Sequence, residues 1–226
     1  MYTYQHVSEK RGQDGMREGD FLQHYKGIVI HDCWRPYWKF QFEAHGLCCA
    51  HILRELQGVI DNNPKQEWAE LMIWLLCKMK STKEKLMDTG KTSASAYYCR
   101  LYKGYWQGLI YQGQQNNPIE YSDKGKRKRN IARRLADRLN EYSEDFCRSF
   151  WDFRVLFDNN QAERAVRHAK VKIKVSGCFR SLEGAKEFAK INSVLSTARK
   201  HGIAVIDTIM ATLAQASCIP WALASE

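Results

Sequence analysis

Two carboxylates occupy positions from which they could take part in metal-dependent chemistry. Asp32 directly follows residues 27–31, a β-branched apolar run typical of a buried strand, and the active sites of α/β proteins commonly lie at the carboxyl ends of strands. Glu163 falls in the first turn of a predicted helix, behind residues 158–160, which are of the types that cap helices. If the two side chains converge, they could bind two divalent metal ions that activate water for phosphodiester displacement.

Each carboxylate also has a purely structural interpretation. Asp32 could cap a turn after its strand. Glu163 could do no more than interact favourably with the helix dipole and pair with Arg167, four residues later. The spacing alone therefore leaves metal binding and local stabilisation open.

A cluster of histidine and cysteine has the residue types of a zinc site without the usual spacing. It comprises His45, Cys48, Cys49 and His51. Adjacent residues of a strand point to opposite faces, and a structural zinc site normally needs a second, separated ligand pair. We therefore expect buried thiols and a packed histidine at this position.

The positive charge is concentrated in two stretches of the chain. The formal net charge is +10, from 35 basic and 25 acidic residues. Residues 124–134 contain seven basic residues and no acidic one, and residues 164–200 contain ten basic residues and two acidic ones. Clustered positive charge favours a polyanionic partner such as nucleic acid; a solvated basic face or a basic linker is the alternative. The candidate DNA-binding residues are Lys126, Arg127, Lys128, Arg129, Arg164, Arg167, Lys170, Lys172, Lys174 and Arg180.

Hydrophobic periodicity predicts the elements that must position these residues. Strands are predicted at residues 2–7, 27–32 and 43–49, and helices at 17–25, 50–60, 160–170, 183–200 and from about 206 onward. Residues 66–142 are predicted to be entirely helical, with turns at Gly90 and at residues 113–118, because three apolar stripes with helical spacing begin at Trp68, Ala94 and Ile131. In the helix at 160–170, the spacing places Ala162, Ala165, Val166 and Ala169 on an inner face. Gly202 is placed to end the helix before it.

The sequence contains no candidate membrane helix and no secretory signal. The longest apolar run, residues 71–77, has seven residues, far fewer than the roughly 20 that span a bilayer. The first residues lack a basic segment followed by an apolar stretch. The eight cysteines form no C-x-x-C pair, which suits reduced thiols. We expect an intracellular protein with no membrane partner.

Five segments carry a resemblance to a known family. They are DNNQAERAVR at residues 158–167 with SGCFRS at 176–181, IVIHDCWRPYW at 28–38, LCCAHILREL at 47–56, and KRKRNIARRLADRL at 126–139. Over residues 2–211 the chain resembles transposases of the insertion-sequence family 66. The resemblance implies a ribonuclease-H-like core in which an Asp-Asp-Glu triad binds two Mg²⁺ or Mn²⁺ ions. The second aspartate corresponds to Asp32 and the glutamate to Glu163, which stand 131 residues apart.

The resemblance leads to a fold prediction of the α+β/α/β class. We expect a ribonuclease-H-like core that lacks its first strands, formed by residues 1–63 and 143–226, with a helical insertion at residues 64–142. In the family the first catalytic aspartate lies on the first core strand, which we expect to be missing here.

The function expected from the resemblance is that of a DNA transposase catalytic-domain fragment. The intact parent would cleave and transfer DNA strands at transposon ends, whereas this chain alone would be inactive because its two-ion site is incomplete. Its partners would be transposon-end and target DNA and further copies of itself, in a bacterial cytoplasm near the nucleoid. A non-catalytic DNA-binding remnant and a purely structural remnant are the alternatives.

Overall fold

The computed structural model describes residues 1–121, 123 and 125–214. Two compact units can be distinguished, one of residues 25–159 and one of residues 1–24 with 160–226. Over the described residues the helices are α1 Gly12–Glu18, α2 Cys49–Asn62, α3 Glu67–Asp88, α4 Ala96–Gln115, α5 Ile131–Glu141, α6 Ser143–Trp151, α7 Asn160–Ser176, α8 Leu182–Lys200 and α9 Val205–Leu213, with a 3-10 helix at Arg35–Lys39. The strands are β1 Ile28–His31, β2 Ala44–Leu47, β3 Glu120–Tyr121 and β4 Arg127–Lys128. The fold is therefore mostly helical, with two small sheets.

The unit of residues 25–159 contains a parallel pair of strands. β1 pairs with β2 in the register Ile28 to Ala44 and His31 to Leu47, which confirms both predicted strands, and α2 follows β2 as predicted. Gly46 is required by close packing on β2, because a Cβ atom there would lie 2.6 Å from Cγ1 of Val155. The pair ends directly before Asp32.

Five helices of the same unit enclose the hydrophobic core. α2, α3, α4, α5 and α6 contribute its largest buried side chains, namely Trp68, Trp106, Phe146, Phe150, Ile52, Leu56, Met72, Leu75, Leu76 and Leu139. The stripe predicted for α3 is confirmed except at Leu71, which is exposed; its members are Trp68, Leu71, Met72, Leu75, Leu76 and Met79. Of the predicted stripe that begins at Ala94, only Tyr102, Trp106 and Ile110 are buried, because the stripe is wider than the face of α4 that packs on α3 and α5.

The prediction that residues 66–142 are entirely helical is wrong at residues 120–121 and 127–128. β3 and β4 form an antiparallel hairpin there. Pro118 disfavours helix at the residue before it, and Gly125 adopts a left-handed conformation with φ of 68° that suits a turn. Asn130 then starts α5, since its side chain accepts a hydrogen bond from the backbone N–H of Arg133 at 2.7 Å.

The other unit contains α1, α7, α8 and α9 together with an extended N-terminal segment. The predicted strand at residues 2–7 is wrong. The backbone N–H groups of Thr3 and Gln5 donate to the hydroxyls of Thr197 and Ser193 on α8, each at 2.9 Å. Alternate amides of the segment thus bond to side chains of a helix, where a strand would bond to a neighbouring backbone.

Two helix predictions in this unit also need correction. The predicted helix at 17–25 is replaced by α1 at Gly12–Glu18. α7 begins where predicted but runs to Ser176 and has no buried residue, so the predicted inner face does not form: Ala162 and Val166 are exposed, and Ala165 and Ala169 are half-buried. Its small alanines leave little apolar side chain to bury. The prediction for α8 is confirmed, as is the role of Gly202, whose φ is 75°.

None of the helices in the described ranges combines the length and the apolar composition needed to cross a membrane.

Candidate functional site

Asp32 lies at the carboxyl end of β1 with an exposed side chain. Its carboxylate makes no hydrogen bond or ion pair with any described residue. The chain leaves the strand through Cys33, which has a left-handed φ of 67°. That conformation costs a non-glycine residue roughly 1–2 kcal/mol, and such residues concentrate at functional sites. The local backbone therefore presents the Asp32 carboxylate to solvent at a sharp turn.

A histidine pair, of which His31 is buried and His45 half-buried, supports the strand end behind Asp32. Nε2 of His31 and Nδ1 of His45 share a hydrogen bond of 3.0 Å, and the His31 ring stacks on Tyr37 with 4.3 Å between ring centroids. Burial, helped by the charge of His45, lowers the pKa of His31 to about 3. Burial also lowers the pKa of His45. Both rings are therefore neutral at pH 7, and they hold β1 and β2 together without placing a charge beside Asp32.

Arginines surround a cavity next to the turn at Cys33. The cavity has a volume of about 200 Å³ and is lined by Cys33, Arg35, Arg129, Arg134, Asp137, Arg138, Glu141 and Tyr142. Arg138 pairs with Glu55, and Arg129 pairs with Asp137 at 3.0 Å. Arg35 and Arg134 make no such bond with a described residue. Two guanidinium groups are thus available to an anion at this place.

Asp137 neutralises part of the basic stretch that precedes α5. Burial acts to raise the pKa of its carboxyl, but hydrogen bonds from Arg133, Arg129 and Gln114 outweigh burial and lower it. Asp137 is therefore ionised at neutral pH. Of the predicted DNA-binding residues in this stretch, Arg129 pairs with Asp137. Lys126, Arg127 and Lys128 are exposed at the hairpin.

The second basic stretch forms a groove in the other unit. α7 packs on α8, and a cavity of about 450 Å³ is lined by Gln161, Arg164, Ala165, His168, Asn192, Ser196, Arg199 and Lys200. The predicted residue Arg164 lies here, while Arg167, Lys170, Lys172 and Lys174 are exposed along α7 and Arg180 is exposed beyond its end. Glu163 is half-buried in the first turn of α7.

Sequence reasoning missed several of these cationic residues. Arg199 and Lys200 were detectable, because they follow Asn192 and Ser196 at the spacing of one α8 face. Arg134 and Arg138 stand four residues apart on α5, which also places them on one face. No sequence spacing links Arg35 to these residues, because it lines the cavity of Arg134 and Arg138 from a distant part of the sequence.

The thiols near β2 are buried, as predicted. Cys48 and Cys49 are buried, and burial raises the pKa of the Cys49 thiol to about 12. The ring of His45 stacks on Trp38 with 5.3 Å between centroids. A buried thiol with a raised pKa is chemically inert.

Asp32 belongs to the unit of residues 25–159 and Glu163 to the other unit. In a comparison with known protein families, the model described as Transposase IS66 family matches residues 1–187. This range includes Asp32 and Glu163. The matched range also includes the hairpin and α7. No curated protein and no solved structure gives a significant match.

Proposed function

The chain belongs to the IS66 family of transposases, and on that premise we propose that it carries part of the catalytic core that cuts and joins DNA at the ends of an insertion sequence. Family membership implies a role in DNA transposition and binding to DNA. The observation that carries the finer proposal is the exposed Asp32 carboxylate at the end of a parallel strand pair. An arginine-lined cavity opens at the residue that follows it.

The donor chemistry at Asp32 suits Mg²⁺ or Mn²⁺. These ions prefer oxygen ligands, and Asp32 offers a solvent-exposed carboxylate that no described residue engages. The neighbouring Cys33 is a poor competitor, because burial raises the pKa of its thiol to about 11 and keeps it protonated. Glu163 is the proposed second ligand. Bound ions would activate a water molecule and stabilise the leaving 3′ oxygen of a phosphodiester.

The protein's own side chains would hold the DNA backbone. Arg35 and Arg134 can form charge-assisted hydrogen bonds with a phosphate beside Asp32. Lys126, Arg127 and Lys128 can bind phosphates from the hairpin, and Arg164 with Arg199 can do so from the groove between α7 and α8. These contacts position DNA without reading its sequence.

The parallel pairing of β1 and β2 supports a ribonuclease-H-like sheet. We propose that residues 1–63 and 143–226 belong to that core and that residues 64–142 are a helical insertion. In support of the insertion, α3, α4 and α5 pack on one another in sequence order.

The chain by itself is proposed to bind DNA without cutting it. Asp32 and Glu163 supply two negative charges, whereas two divalent ions bring four positive charges, so a two-ion site needs a further carboxylate. Supercoiled plasmid incubated with the purified chain and Mg²⁺ or Mn²⁺ should be retarded in a gel but not nicked. Nicking that Glu163→Gln abolishes would contradict the proposed inactivity, and failure to retard DNA at low salt would contradict the proposed function itself.

A further inference from the structure

A second cavity in the unit of residues 25–159 is lined chiefly by amide side chains. It has a volume of about 340 Å³ and lies where the end of α2 and the following loop meet the start of α5. The five amides are Asn62, Asn63, Gln66, Asn117 and Asn130. None of the described residues that line it is acidic. This composition disfavours a cationic ligand and favours one with amide-like hydrogen-bonding edges.

The floor of the cavity is rigid, because its amides are bonded to one another. Gln66 and Asn117 are buried and exchange two side-chain hydrogen bonds, of 3.1 and 2.8 Å. Nε1 of Trp68 donates to Oε1 of Gln66 at 2.6 Å, and Nδ2 of Asn130 donates to Oδ1 of Asn117 at 2.9 Å. A buried network whose members are paired in this way holds a fixed shape.

The rim of the cavity offers hydrogen-bonding groups that the protein does not use. Nδ2 of Asn62 donates a hydrogen bond to the carbonyl of Gly58, and Oδ1 of Asn63 accepts one from the backbone N–H of Lys65. Oδ1 of Asn62 and Nδ2 of Asn63 have no partner among the described residues, which leaves one acceptor and one donor on residues that line the cavity. An acceptor and a donor on amide side chains match the edge of a nucleobase such as adenine.

We propose that this cavity binds one unpaired nucleobase of a DNA strand, with the adjoining phosphate on Arg134. The proposal rests on the DNA binding proposed above. The volume of the cavity lies within the range of small-molecule sites. Val59, Ile131 and Ala132 supply apolar surface for the faces of the base ring. The basic hairpin leads directly through Asn130 into the cavity wall, so DNA held on the hairpin passes close to the opening. A base that is already unpaired is the least costly to accommodate.

The experiment compares two duplexes that carry the fluorescent base 2-aminopurine. In one duplex the base is extrahelical, and in the other it is paired with thymine. The full chain should bind the extrahelical duplex more tightly, by about tenfold, as expected for one well-paired base edge. The fluorescence should rise on binding, because the base leaves its stacked neighbours for an aliphatic pocket. Free dAMP should compete only weakly, since it cannot reach the hairpin as the duplex does.

Two rim variants test whether the cavity causes this preference. Asn62→Ala with Asn63→Ala removes the open donor and acceptor, and Asn62→Trp blocks the opening. Both should abolish the preference for the extrahelical duplex and leave affinity for the paired duplex unchanged. Asn140→Ala, an exposed asparagine on α5 that does not line the cavity, is the matched control and should behave like the unaltered chain.

The outcomes separate this proposal from the proposed function. If the paired duplex binds but the extrahelical one is not preferred, the nucleobase site is overturned and DNA binding stands. If the rim variants retain the preference, the base binds elsewhere and the proposal is wrong. If dAMP binds as tightly as the extrahelical duplex, the site is one for free nucleotides and the DNA source is wrong. If the chain binds neither duplex nor dAMP, both proposals fail.

Discussion

At the scale of single residues, Asp137 governs how much of the basic stretch before α5 is available to DNA. It pairs with Arg129 at 3.0 Å and with Arg133 at 2.8 Å. Because these bonds lower the pKa of Asp137, its contribution to stability is complete above its ordinary pKa. The contribution is lost as the pH falls through the lower value of the folded state.

Asp137→Asn should therefore have opposite effects on stability and on DNA binding. We expect the free energy of unfolding to fall by about 1–2 kcal/mol, because two charge-assisted hydrogen bonds weaken. DNA affinity should rise, because Arg129 is released from Asp137 and can contact a phosphate. Urea unfolding and a filter-binding titration measure the two effects. Asp145→Asn, which breaks the pair with Arg148, is the control: it should reduce stability without raising DNA affinity, and an equal rise would contradict the assignment.

At the scale of secondary-structure elements, the hairpin of β3 and β4 is the main candidate for a phosphate-binding element. Replacing Lys126, Arg127 and Lys128 with alanine should flatten the slope of log affinity against log salt by about 0.9 for each phosphate that is no longer neutralised. Preference among DNA sequences should not change. The control replaces Lys78, Lys85 and Lys91, three exposed lysines elsewhere in the same unit. An equal change of slope in the control would show that net charge, and not the hairpin, accounts for binding.

The helical core makes a prediction that distinguishes two tryptophans on neighbouring helices. Trp106 on α4 is 1% exposed, whereas Trp74 on α3 is 59% exposed. Trp106→Ala should destabilise the chain by about 3–5 kcal/mol, as expected for removal of a buried aromatic side chain. Trp74→Ala should cost much less. Thermal unfolding of the two variants measures the difference, and similar losses would show that the helices do not pack as described.

Elements with a strong and local sequence signal could be predicted. The β-branched run before Asp32 gave β1, and the apolar spacing between residues 183 and 200 gave α8. The segment at residues 2–7 alternates like a strand, but its amides bond to hydroxyls on α8, and no local pattern reveals such a distant partner. The hairpin was missed because the apolar stripes on both sides of it suggested continuous helix.

At the scale of the whole molecule, the two basic stretches fall in different units. The hairpin lies in residues 25–159 and the groove around Arg164 lies in the other unit. Each unit therefore carries its own cationic surface within a chain of net charge +10. The sequence predicted this division of charge, because it depends only on where lysines and arginines stand. It could not predict the cavity shared by Arg35 and Arg134, whose residues come from separate segments. The expected association of the chain with further copies of itself stays a prediction.

The most direct test of the central claim is Mn²⁺ binding at Asp32. Water proton relaxation, titrated with Mn²⁺, reports binding without requiring catalysis. We expect Asp32→Asn and Glu163→Gln each to weaken Mn²⁺ binding by at least about tenfold, because each removes an ionised oxygen ligand. The matched variants Asp88→Asn and Glu70→Gln change exposed carboxylates on α3 and should bind Mn²⁺ like the unaltered chain. Unchanged Mn²⁺ binding by Asp32→Asn would contradict the account.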